Sequence, residues 1–289
     1  MAITFVGAGT AASSSGGSTG SLTPTLPSGL QDNDLVLIYC TGRGINYVFT
    51  SPNYTQKWSL DHSSSTVNTI VLLYKKYATG DANPVVSWTG GAANATVIMQ
   101  VCAFHGVDLT TPFNVQGATS SCVSQQNIGA ITGITTGASG KCTIVFGHKA
   151  GDWTTPNGVA TLTGDSLTWY EIGEPTSKLG TDAGAVWDYA IHNGSQAIAN
   201  KTFTVTGGEA QYGMGVMQSL NEAGAAPKTI TIQESLSLRD LESDMSLITR
   251  ILNDFYSLYD LPYVSTTTPT VPDVTIMRII SLITSEPQY

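Results

Sequence analysis

All 30 glycines of this 289-residue chain lie before Ala225, and from Pro227 to Tyr289 there is no Gly, Ala, Cys, His or Trp. Glycine supplies the left-handed and strained conformations of tight turns at low steric cost. A glycine-rich stretch of some 225 residues therefore suits a domain of many short strands joined by turns, and the glycine-free remainder follows other rules. The join is Asn221-Glu222-Ala223-Gly224-Ala225-Ala226-Pro227, a small-residue stretch closed by proline. It predicts a domain boundary. The expected organisation is a Gly/Ser-rich N-terminal strand and arm over residues 1–29, a β-sandwich domain over 30–224 and an oligomerisation or anchoring segment over 225–289.

Charge follows the same division. Charged residues make up 11% of the chain, against about 25% in an average soluble domain. The last 62 residues hold 8 acidic and 4 basic side chains, and the preceding 227 hold 13 and 8. The 12 Lys and Arg face 21 Asp and Glu without clustering, which argues against a nucleic-acid partner. An apolar fraction of 41% allows a sizeable core and argues against a disordered acidic chain. No run approaches the ~18 consecutive apolar residues of a membrane span. The opening Met1-Ala2-Ile3-Thr4-Phe5-Val6 has neither a basic region nor a long apolar stretch, so synthesis in a cytoplasm is expected.

Between the turn clusters lie β-rich runs: Leu35 to Cys40, Thr69 to Tyr77, Val85 to Trp88, Ala95 to Phe104, Cys142 to His148, Ser166 to Ile172, Ala185 to Ile191, Lys201 to Thr206 and Tyr212 to Leu220. No helical period separates them. The expected fold is mainly β, an antiparallel, jelly-roll-like β-sandwich. The low-complexity stretch Gly7 to Gly29 reads as a flexible arm or long loop.

The C-terminal segment opens with a short strand, Thr229 to Ile232. Leu241, Met245, Ile248, Leu252, Phe255 and Tyr259 then follow at heptad spacing up to Pro262. Three heptads make a marginal lone helix, so this stripe is the candidate oligomer interface, suited to a homotrimer. After the extended Thr266 to Pro272, Asp273 stands at an N-cap position before Met277, Ile280 and Ile283. That last pattern suits helix and strand alike.

Motifs for chemistry are sparse. Ile3 to Val6 followed by Gly7-Ala8-Gly9-Thr10-Ala11-Ala12 matches the dinucleotide fingerprint, but Ser13 to Ser18 cannot form the helix that the fingerprint requires. His62, His105, His148 and His192 form no zinc motif. Asp32-Asn33-Asp34 lacks the Gly and distal Glu of a calcium loop and reads as a turn. Asp61, Asp108, Asp165, Glu171 and Asp188 are scattered carboxylates, better read as solvated loop residues than as a glycosidase pair. There is no G-x-S-x-G elbow. Cys40, Cys102 and Cys142 sit inside apolar runs, as buried thiols do, and Cys122 has no C-x-x-C partner. No catalytic residue, cofactor or metal site is expected. Among Trp58, Trp88, Trp153, Trp169 and Trp187, the loop residue Trp153 is the candidate glycan contact.

Several of these segments resemble a widespread domain of tailed-phage virion structural proteins. Asn33 to Tyr39 resembles its "GDLVLL" strand, with Asn33 in place of the usual Gly. Trp58 stands at its Gly-Trp-Thr position, preceded here by Gln56-Lys57. Val71 to Asp81 is similar to its "yykva.Gd" hairpin, and Ala103 to Phe113 to its "fsGVD..tPfd" element. Thr229 to Asp240 resembles the "TISESLSLSD" repeats of such proteins. The resemblance covers about residues 30–220 in order of elements. It implies a non-enzymatic β-sandwich displayed on the virion as a capsid decoration, head-fibre or tail-associated protein. Its partners would be further copies of itself and the major capsid or tail proteins, with host surface glycan as the alternative ligand of a fibre module.

Overall fold

A computed structural model describes residues 2–63, 68–151, 162, 167–205 and 210–224. The chain divides into two compact units, Met1–Pro227 and Lys228–Tyr289. The heptad residues Leu241, Met245, Ile248, Leu252, Phe255 and Tyr259 lie outside the described residues, as do Trp153 and Asp165.

Among its described residues the first unit has twenty strands and no helix. In chain order they are β1 (Thr4–Ala8), β2 (Ala12–Ser14), β3 (Thr19–Leu22), β4 (Leu35–Gly42), β5 (Val48–Thr50), β6 (Thr55–Asp61) and β7 (Thr69–Lys76). Then come β8 (Val86–Thr89), β9 (Val97–His105), β10 (Phe113–Gln116), β11 (Ser120–Gln125), β12 (Ile128–Ile131), β13 (Ile134–Thr135) and β14 (Gly140–Ala150). Last are β15 (Tyr170–Gly173), β16 (Thr176–Ser177), β17 (Ala183–Ile191), β18 (Ala197–Ile198), β19 (Lys201–Phe203) and β20 (Gln211–Asn221).

Two large antiparallel sheets form a sandwich. The first has the order β1-β9-β4-β7-β6, with β2 also on β9. The second has the order β10-β20-β14-β17-β15, with β11 on β20 and β16 on β17. Three smaller sheets, β3-β8-β5, β12-β19 and β13-β18, complete the unit. They explain why the long strands read as unbroken apolar runs. Every residue of β4 is buried. Leu35, Leu37 and Tyr39 face the inter-sheet core. Val36, Ile38 and Cys40 face a second core roofed by Tyr47, Phe49, Val86 and Trp88. On the second sheet, Val145, Val186 and Met217 lie beneath Ile128, Ile131, Ile198 and Phe203. Strands buried on both faces lose the period-two alternation that would orient them.

Tyr39, Trp58, Phe146 and Trp187 pack together in the central core, with Tyr39–Phe146 centroids 5.0 Å apart and Trp58–Phe146 5.3 Å apart. One polar pin crosses it. The Trp187 indole N–H donates to Gln100 Oε1 at 2.8 Å, and Gln100 Nε2 donates to the Gly9 carbonyl at 3.3 Å.

The stretch Gly7 to Gly29, expected as a flexible arm or long loop, is partly paired into the unit: β2 lies on β9 and β3 on β8, with loops between them. Its small residues allow close backbone approach. A Cβ on Gly9 would come within 1.7 Å of the Thr25 carbonyl oxygen, and one on Gly20 within 2.3 Å of the Trp88 ring. Gly9 of the fingerprint-like stretch thus serves close backbone packing against Thr25.

Candidate functional site

The motif segments meet at the crossover between the two large sheets. The turn before β4 places Asn33 at φ +75°, a conformation that Gly adopts freely and Asn tolerates better than most residues. Asn33 therefore fits this turn without a glycine. Asp34 is fully buried. Its Oδ2 accepts the Gln31 amide at 2.8 Å, and its Oδ1 lies 2.6 Å from His105 Nδ1. Lys57 forms the bulge of β6, where the register to β7 shifts between Gln56 and Trp58. Its ammonium lies 4.9 Å from the Phe113 ring centroid.

From His105 the chain leaves the first sheet, crosses through residues 106–112 and enters the second sheet at β10. Asp108 shapes the crossing, with Oδ1 accepting the Thr110 and Thr111 amides and Oδ2 the Thr111 hydroxyl. These bonds hold its carboxyl below the usual range. The crossing is zipped to the end of β20. Val107 bridges Glu222. The Asp108 amide donates to the Asn221 carbonyl, the Asn221 amide to Pro112 and the Ala223 amide to Gly106, at 2.8–3.0 Å. Asn221, 8% exposed, is the hub. Its Nδ2 donates to the Thr111 carbonyl at 2.7 Å, and its Oδ1 accepts from Asn114 Nδ2 and Ser139 Oγ, each at 2.8 Å. Lys141 Nζ pairs with Glu222 at 2.6 Å. Asn221 and Glu222, read from sequence as linker, belong instead to this joint.

A second feature lies where the edge strand β1 of the first sheet comes near β17 and β15 of the second. It is an open groove of about 650 Å³ lined by Phe5, Tyr170, Tyr189, His192, Asn193 and Gln196 among others. Tyr170 and Tyr189 are register partners, with ring centroids 5.5 Å apart. Tyr189 packs on Phe5 at 4.7 Å and edge-on to Phe104 at 5.6 Å. Burial, then Cys142 and Tyr170, raise the Tyr189 phenol above its ordinary value, so it stays a neutral donor. The His192 ring is held between Thr143 Oγ1 at 2.9 Å and the Asn193 carbonyl at 2.7 Å.

The other nominated residues disperse. Trp58, Trp88 and Trp187 are core residues, and all four cysteines are buried and free. Asp61 accepts the Thr69 hydroxyl. Asp188, expected as a solvated carboxylate, is 6% exposed and pairs in register with Glu171. Burial, then the charges of Glu171 and Glu174, raise its carboxyl to about 7. Its Oδ1 has no hydrogen-bond partner among the described residues. His148 is buried, its Nδ1–H donating to the Gly184 carbonyl at 2.9 Å. Burial lowers its imidazole to about 3, Arg43 and His62 adding to the effect and the Gly184 bond opposing it. Among the described residues, no three His, Cys, Asp or Glu converge to hold a metal, and no helix is long and apolar enough to cross a membrane.

Sequence reasoning nominated none of Phe5, Tyr170 and Tyr189. Each lies in a strand-like run, but only the pairing register brings them together. Comparison with protein families, curated proteins and solved structures finds no match to this chain.

Proposed function

We propose that this chain is a non-enzymatic structural protein of a tailed-phage virion, a capsid accessory, decoration or head-fibre protein displayed on the particle surface. The observation that carries the reading is the joint at Asn221. The GVD element of the family resemblance, residues 106–112, is bonded along the end of β20, from which the chain continues to residues 225–289. A domain displayed on a particle and tethered through its C-terminal segment needs its last strand held against force and thermal fraying. The crossover holds it with backbone bonds, a buried amide hub and an ion pair. The doubly covered sheets and sparse charge fit a rigid display module. The heptad spacing of the sequence from Leu241 to Tyr259 is of the kind that suits a trimer.

The test is a chain ending at Ala225. It retains the sandwich, by circular dichroism and cooperative unfolding, while losing self-association in light scattering and attachment to particles. Unchanged mass together with full particle attachment would overturn the reading.

A further inference from the structure

We propose that the groove between β1 and the β15–β17 pair is a binding site for a neutral sugar ring. Tyr170 is 53% exposed on β15, at the end of the second sheet's strand order. Single exposed apolar residues are commonplace. This one stands in a row, with Tyr189 at 5.5 Å from Tyr170 and Phe5 at 4.7 Å from Tyr189. Phe104 supports the row from within the core, edge-on to Tyr189. Rings backed in this way form a preorganised surface, and little side-chain freedom is left to lose on binding. Only Tyr170, at the outer end, retains substantial exposure.

The rim selects the chemistry. Asn193 and Gln196 bring side-chain amides, which both donate and accept. The Tyr189 phenol adds a neutral hydroxyl. Among the described residues, none that lines the groove is Lys, Arg, Asp or Glu. A hexopyranose presents one face of C–H groups, which packs on an aromatic ring, and a perimeter of hydroxyls, which amides and phenols satisfy. A volume of about 650 Å³ accommodates one to two such rings and falls in the usual range for small-molecule sites. The uncharged lining favours neutral hexoses over sialic or uronic acids and over phosphate. The site is independent of where the chain sits on a particle, and none of its six named residues belongs to the crossover joint.

The test uses the full chain and saturation-transfer NMR with neutral glucose-, galactose- and mannose-containing oligosaccharides, up to about 10 mM to capture weak single-site binding. At least one should receive saturation at its ring protons, while a sialylated or uronic-acid counterpart should not. Tyr170→Ala should weaken that binding at least tenfold, and Tyr170→Phe, which keeps the ring, should stay within about threefold of the parent. Asn193→Ala, on an exposed loop, should weaken it severalfold with the unfolding midpoint unchanged. Absence of transfer from every neutral sugar would overturn the proposal. So would binding indifferent to Tyr170→Ala, or a preference for acidic sugars or for extended peptides. Presence or absence of the chain in purified particles is a separate readout, so failure here leaves the virion reading standing and the reverse holds too.

Discussion

Asp34 and His105 meet through Oδ1 and Nδ1 at 2.6 Å, and this contact joins two of the motif segments, the start of β4 and the end of β9. Asp34 is wholly buried, while the His105 side chain keeps 32% of its exposure. The two partners are therefore unequal. Removing the imidazole leaves a buried carboxylate with the Gln31 amide, whereas an amide in place of the carboxylate keeps one neutral acceptor oxygen for one of these two contacts and turns an NH2 toward the other. We expect His105→Ala to cost about 2–3 kcal/mol and Asp34→Asn less, because an uncompensated buried charge costs more than a weakened hydrogen bond. Urea unfolding of both single variants and the double variant measures this. Additive effects would show that the contact carries no coupling.

Asn221 makes the corresponding prediction for the crossover. Asn221→Ala removes an amide that serves Thr111, Asn114 and Ser139, at a cost of about 2–3 kcal/mol for buried groups left unsatisfied. The end of β20 should open before the rest of the sandwich. Hydrogen exchange at residues 106–112 and 221–223 should accelerate in the variant while exchange in β4 and β9 stays slow. Uniform acceleration would mean that the joint is no local clamp.

His148 and Asp188 set opposed pH dependences. His148 titrates near 3 when folded, against 6.5 for the free group. As pH falls below 6.5 the unfolded chain takes up a proton that the folded one refuses, and stability is lost. Asp188 titrates near 7 when folded, against 3.8 for the free group. As pH rises above 3.8 the unfolded chain releases a proton that the folded one keeps, so stability is lost in the other direction. Each slope is about 1.4 kcal/mol per pH unit, so these two contributions cancel between about pH 4 and 6.5. Asp188→Asn should remove one of them. We expect the variant to gain about 2–4 kcal/mol over the parent at pH 8 and nothing at pH 3.5. It should also become steeply acid-sensitive below pH 6.5. Denaturant midpoints across this range check it, and parallel curves for variant and parent would contradict it.

Gly9 tests the reading of the fingerprint-like stretch as packing. A methyl at this position would overlap the Thr25 carbonyl. Gly9→Ala should therefore cost about 3 kcal/mol, as overpacking against backbone does. Unchanged stability would show that the segments at Gly9 and Thr25 separate freely there.

Much of the fold is legible in the residues, but unevenly. The long strands β4, β7, β9, β14, β17 and β20 appear as apolar runs because both their faces are covered. The same covering hides their orientation, since Leu35 and Val36 are equally apolar yet face different cores. The short strands β10 to β13 leave little signal in the sequence because they are brief and lie among polar residues. The Gly/Ser stretch reads as a flexible arm or long loop because glycine marks close backbone approach as readily as freedom. The joint was half legible: the GVD element stood out, but its pairing with Asn221 is a contact across more than a hundred residues. The groove was not legible, because no local pattern places Tyr170 opposite Tyr189.

Electron cryo-microscopy of purified particles, with this chain located by its density and confirmed by mass spectrometry, tests directly whether it is a virion protein. Copies should stand on the particle surface, with the sandwich outward and residues 225–289 gathered in threes toward the particle. Particles that lack the chain, or that carry it as isolated single copies held through the sandwich face, would contradict this.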